Sequence, residues 1–282
     1  MQQLSVDSET TAADLSLTGL AAWWTTFLVA FFFASYVFAA WITHLRHNVP
    51  SLVFGWEVHI PFLAWTIVPY WSTDLLYVCS PFLFNSRAEL ATHCKRLLAV
   101  QVSSVVIFLL FPLRFTFGRP HAAGLLGWMF LLRTGVDTQF NQAPSLHIGF
   151  AVVLWQAYSR HLEGNARWLM RSWIVLMSLA TLTTFRHHFI DLPTGLWAGL
   201  FCAAMFPDGC APLAGAPLPG SSKWFGIEAL YGVGAILFSA AAYRVGNVAW
   251  LILWPASALA FVVYRRWQST NLKQSNFAGG SQ

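Results

Sequence analysis

An all-α fold, a polytopic transmembrane helical bundle with a six-helix core and two further C-terminal helices, is predicted for this chain by three observations. Its 282 residues are 57% hydrophobic and only 10% charged, too little polar surface to coat a soluble globule of that size. Apolar runs approaching the roughly 20 residues that cross ~30 Å of hydrocarbon recur along its length. Fifteen tryptophans, among them Trp23, Trp24, Trp41, Trp56, Trp65, Trp71, Trp224 and Trp267, mostly sit near the ends of those runs, where membrane interfaces favour amphipathic rings.

The elements follow in order. Residues 1–16 are polar, carry Asp7, Glu9 and Asp14 but no Lys or Arg, and so lack the basic start of a cleaved signal peptide. They read as a disordered cytoplasmic tail. Residues 17–206 hold six spans: Leu20–Thr43, Pro61–Phe84, Leu97–Leu113, Ser145–Ser159, Trp168–Phe185 and Phe189–Phe206. The second is broken by Pro69 and Pro81. Between the third and fourth, the apolar stretch Ala122–Leu132 is too short to cross and reads as an interfacial or lid-like segment. Residues 207–223, rich in Gly, Pro and Ala, form a linker to a hairpin over 224–265, whose spans are Trp224–Tyr243 and Gly246–Tyr264; 266–282 is a cytoplasmic tail. The hairpin contains no histidine, so the chemistry belongs upstream.

Basic residues between spans set the orientation, because Lys and Arg accumulate in short cytoplasmic loops. With the amino terminus inside, Arg87, Lys95, Arg96, Arg160, Arg167, Arg171, Lys223, Arg265, Arg266 and Lys273 fall on the cytoplasmic side. Arg46, Arg114, Arg119, Arg133, Arg186 and Arg244 fall outside. Both termini are therefore expected in the cytoplasm of a plasma (inner) membrane protein. The net charge of +5 follows from that cytoplasmic excess, with anionic lipid headgroups as counterions and no nucleic-acid partner. Cys79, Cys94, Cys202 and Cys210 make no C-x-x-C pair, which indicates neither a disulfide framework nor a zinc ribbon. His93-Cys94 begins like a cysteine-phosphatase signature, but the arginine needed six residues on is Val100.

Three motifs fall at one end of the spans: Arg119-Pro120, Pro144-Ser145-Leu146-His147, and Arg186-His187-His188-Phe189-Ile190-Asp191. His187 and Asp191 are four apart, so on one helical turn their side chains can touch. A carboxylate on one imidazole nitrogen fixes the tautomer and leaves the other as a nucleophile. His188, three residues from Asp191, is an alternative partner. His147 at a helix start can pass a proton to a departing alkoxide, since imidazole titrates near neutrality. The exposed amides and the Ser145 hydroxyl there suit phosphate oxygens. Arg119, Arg114 and Arg186 offer planar cationic donors for phosphoryl charge, and no metal or other cofactor is required.

On these residues the chain resembles the type-2 phosphatidic acid phosphatase superfamily: Arg-Pro, Pro-Ser-x-His, and a histidine followed after three residues by aspartate. Pro-Ser-Leu-His, with Leu146 where phosphatases usually carry Gly, looks like the branch containing inositol phosphorylceramide synthases. Residues 49–77 and 183–199 look like the membrane half of bacterial fusions to dual-specificity phosphatases. The resemblance implies His187 as nucleophile, Asp191 as its orienter, His147 as acid and base, and Arg119 and Ser145 as phosphate ligands. Two positions depart from the pattern: the lysine expected seven residues before Arg119 is Pro112, and an expected Ser-Arg falls on Ala180-Thr181. Arg114 and Arg186 are the expected replacements.

The leading expectation is a metal-independent membrane lipid-phosphate phosphatase acting through a phosphohistidine on the outer face. The alternative is a phospholipid or sphingolipid headgroup phosphotransferase using the same site. A transporter, motivated by Asp74 within the second span, and a hydrolase with metal held by His147, His187, His188 and Asp191 are the remaining readings. Asp74 is expected to face the bundle interior, as a structural hydrogen-bonding partner or a substrate contact. Glu57 is expected to be a solvated loop residue, and His44, His47, His59, His93, His121 and His161 to be interfacial.

Overall fold

The computed structural model describes residues 2–133 and 138–206, which belong to a compact unit, Met1–Cys210. The expected linker, C-terminal hairpin and C-terminal tail lie outside the described residues. Those described form seven α-helices and three short 3-10 helices with no strand among them, so the fold is all-α. The helices are α1 (Gln2–His44), α2 (Ile67–Cys79), α3 (Arg87–Leu110), α4 (Gly124–Arg133), α5 (Leu146–His161), α6 (Gly164–Thr183) and α7 (Asp191–Met205). The helical start at Gln2 lies inside the segment expected to be a tail.

Among the described residues two stretches, Leu17–His44 of α1 and all of α3, are long and apolar enough to cross a bilayer. The others differ from the expected spans in length. The second span, read as one run over 61–84, is divided. Pro61 and Pro81 flank a 13-residue α2, about 20 Å long, with a 3-10 turn on either side (Ala64–Thr66 and Ser80–Leu83). Helix α3 instead starts ten residues before the expected Leu97, because Arg87 to Arg96 carry a helical pattern whose apolar face buries Leu90 and Cys94. The short apolar stretch near 122–132 is helical, as α4.

The core is a contiguous apolar cluster in which Leu28, Leu97, Val100, Phe108, Phe150 and Leu154 are buried. Polar pairs tie the helices across it: Gln101 Nε2 donates to Ser35 Oγ at 2.8 Å, Trp173 Nε1 to Ser72 Oγ at 2.8 Å, and Tyr158 to the Leu76 carbonyl at 3.1 Å. His93, expected at an interface, lies inside this packing, 2.8 Å from Ser80 Oγ.

The crossing of α5 and α7 matters most for the site. Here the backbones meet without intervening side chains. A Cβ on Gly199 would stand 2.7 Å from the Gly149 carbonyl oxygen, and one on Gly195 would stand 2.5 Å from that of Ser145. Only glycine allows this approach. It draws the starts of the two helices together, and with them Ser145 and Asp191.

Candidate functional site

Asp191 is the first residue of α7 and Ser145 the N-cap of α5, following a cis Ala143-Pro144 peptide. The Ser145 N–H donates to the Asp191 carbonyl at 3.1 Å, joining the two helix starts through the main chain. His187 and Asp191 do not share a helix, contrary to expectation. His187 sits in the irregular turn before α7, where its N–H and that of Arg186 both donate to the Thr181 carbonyl at 3.1 Å. Phe185, which opens that turn, has φ 53°, a left-handed conformation that costs about 1–2 kcal/mol in a non-glycine residue.

The turn nevertheless brings the expected side chains together. His187 Nδ1 lies 3.0 Å from Asp191 Oδ2, which also accepts the His188 N–H at 3.0 Å. Since an ionised carboxylate only accepts, Nδ1 carries the proton and Nε2 presents a lone pair. Ser145 Oγ stands 3.2 Å from that Nε2. His187 and Asp191 are 7% and 1% exposed, so the pair is shielded from bulk water.

His147 lies near this pair, its ring centroid 6.0 Å from that of His187 with the planes at 64°. Tyr70 of α2 stacks on the His147 ring at 4.2 Å. The buried Arg186 guanidinium lies over the other aromatic surfaces of this corner, 6.0 Å from the Tyr70 centroid and 5.6 Å from that of Phe130 on α4. Arg119 approaches from the 115–119 loop, donating from Nε to the Phe185 carbonyl at 2.9 Å.

Compared with protein-family models, curated proteins and solved structures, the chain matches none.

Arg114 is not drawn into the cluster. Its side chain is exposed and its backbone N–H donates to the Pro50 carbonyl at 2.9 Å. Asp74 is half-buried and lines, together with His147, a cavity of about 270 Å³ whose walls are otherwise mostly apolar, including Val29, Phe32, Tyr77 and Phe150. His188 points away from His187, and its Nδ1 lies 2.9 Å from Glu57 Oε2. Glu57, expected in solvent, is 1% exposed. Burial pushes its carboxyl up, but hydrogen bonds from His188 and from the Phe54 and Phe189 N–H groups outweigh this and hold it below the ordinary carboxylate range.

Two residues of this corner, Tyr70 and Glu57, were missed in the sequence as site components. Tyr70 sits in no motif. Glu57 carried one signal, an acidic residue three positions after Phe54 at the start of a short helical turn, where it reaches back to the Phe54 N–H at 2.8 Å. Among the described residues, no three His, Cys, Asp or Glu side chains converge as metal ligands.

Proposed function

We propose that this protein is a membrane-embedded phosphatase of lipid phosphates, related to the type-2 phosphatidic acid phosphatases, which works through a phosphohistidine at His187. The observation that carries the reading is the buried line from Asp191 Oδ2 through His187 to Ser145 Oγ, with the His147 ring 6.0 Å from that of His187. In the first step Nε2 of His187 attacks phosphorus as the bond to the ester oxygen breaks. Asp191 offsets the positive charge that develops on the ring, and His147 gives its proton to the departing alkoxide. In the second step His147 takes a proton from water, the hydroxide attacks phosphorus, and His187 leaves with its electron pair, releasing inorganic phosphate. In this reading Arg186 and Arg119 neutralise the equatorial oxygens through both steps.

The apolar cavity beside His147 supports a substrate with an aliphatic chain. The membrane setting is supported by the two described helices of spanning length and by large apolar side chains left exposed, such as Phe38, Leu75, Val106 and Leu179. We place the site at the outer face on the distribution of basic residues.

The test is purified protein presented with a panel of lipid phosphate monoesters, with and without a lipid alcohol, scored for free phosphate and transferred headgroup. Rapid quenching at alkaline pH should trap acid-labile phosphate on His187. Turnover without that adduct, or turnover that survives His187→Ala, would overturn the reading. Transfer to the alcohol in preference to water would make the protein a phosphotransferase with the same site.

A further inference from the structure

We propose that Glu57 and His188 form a positioning pair that clamps the Arg119 loop against the turn carrying His187. This rests on the phosphatase reading above. The short 3-10 helix Gly55–His59 sits between α1 and α2, and Glu57 uses both carboxylate oxygens within it and across from it. Oε1 accepts the Phe54 N–H at 2.8 Å. Oε2 accepts the Phe189 N–H at 3.1 Å and lies 2.9 Å from His188 Nδ1. The opposite nitrogen of that ring, Nε2, is 3.2 Å from the Thr116 N–H.

A backbone amide can only donate, so Nε2 must present its lone pair and the ring proton must sit on Nδ1, facing the carboxylate. The assignment is consistent at both ends. The Thr116 hydroxyl, also 3.2 Å from Nε2, reinforces the same acceptor. Phe115 stacks on the ring at 4.5 Å and Phe117 meets it edge-on at 4.9 Å, so the imidazole is held from its faces as well as its ends.

One buried ring thus joins three segments far apart in sequence: 54–60, 115–119 and 185–191. Two of them carry chemistry. Thr116 is three residues before Arg119, and His188 follows His187. Arg119 closes the loop by donating to the Phe185 carbonyl. Neither Glu57 nor His188 faces the nucleophilic nitrogen, so the pair acts through the residues it holds. Placement errors near 1 Å around a reacting phosphoryl group cost on the order of 10²-fold in rate, which is why such a clamp has consequences for turnover.

Two variants in detergent micelles test this. Glu57→Gln puts an amide where every neighbour is a donor. His188→Gln keeps an acceptor near Thr116 but has no ring proton for Glu57. Amide hydrogen exchange over residues 115–119 is read without substrate, and kcat and KM are read on the lipid phosphate with the highest turnover. The pair positions the loop if both variants speed exchange there and lower kcat roughly 10–100-fold while KM moves less than about threefold. Unchanged exchange in a folded variant overturns the clamp, and faster exchange with unchanged kcat overturns its role in turnover. If wild-type protein releases no phosphate from any lipid, the phosphatase reading fails instead, and the exchange measurement alone judges the clamp. If Glu57→Gln does not fold, His188→Gln carries both readouts.

Discussion

Ser145 and Asp191 are joined backbone to backbone, the N–H of one donating to the carbonyl of the other at 3.1 Å. The start of α5 is therefore tied to the start of α7 through the main chain. Because Ser145 also meets His187 Nε2 and Asp191 meets Nδ1, the imidazole is held from both ends by residues hydrogen-bonded to each other.

This predicts a clean Asp191→Asn variant. Its carbonyl can replace Oδ2, and its amide falls at Oδ1, which is buried and lacks a hydrogen-bond partner among the described residues. The fold should persist while turnover falls roughly 10²–10⁴-fold, since charge on the ring is no longer offset. His147→Ala should fall comparably but still label His187 when the leaving group needs no protonation. Steady-state rates with lipid and nitrophenyl phosphates check both.

The arginines should divide by burial. Arg114→Ala should leave kcat/KM within a factor of about two, because the side chain is exposed and, among the described residues, its backbone N–H is the group engaged. Arg186→Ala should lower it by roughly 10²-fold or more, and Arg186→Lys should not restore it, since lysine cannot reproduce a planar donor fork over Tyr70 and Phe130. Equal losses at 114 and 186 would contradict the assignment.

Gly195→Ala should destabilise the protein by about 1–3 kcal/mol, because the new methyl meets the Ser145 carbonyl, a backbone atom that cannot swing aside. Thermal unfolding in detergent reads the shift. Activity should fall with it, as the displaced residue is part of the site.

Glu57 predicts an acid-dependent loss of stability. Its folded-state pKa lies below the ordinary 4.5, so its contribution is present above that pH and fades as pH falls through the folded value. The difference in melting temperature between wild type and Glu57→Gln should be widest near neutrality and shrink below pH 4.5. A gap that stays constant to pH 3 would rule out an ionised carboxylate here.

Filling the cavity should discriminate among substrates. Val29→Trp places a large ring in the space beside His147 and should raise KM several-fold for long-chain lipid phosphates while leaving short, water-soluble monoesters nearly unchanged.

Much of the site was legible because its parts are local. His187 and Asp191 are four positions apart and Ser145 and His147 two, so chain connectivity bounds their distances whatever the packing. Even so, the expected shared helix was wrong, and the contact is made from a turn opened by the left-handed Phe185. Glu57 and Tyr70 were opaque because their partners lie more than a hundred and more than seventy residues away. Nothing in a one-dimensional pattern distinguishes a solvated glutamate from one that accepts three hydrogen bonds.

From the order of residues alone came the helical class, the abundance of apolar segments and the motifs worth examining, since these depend on composition and on spacings shorter than two helical turns. Only the folded chain decided which of three arginines enter the cluster, that α2 is half the length of its apolar run, and that Gly149, Gly195 and Gly199 let two helices meet backbone to backbone. Those outcomes depend on which surfaces face each other once the chain is packed, and that is settled by the whole set of contacts acting together.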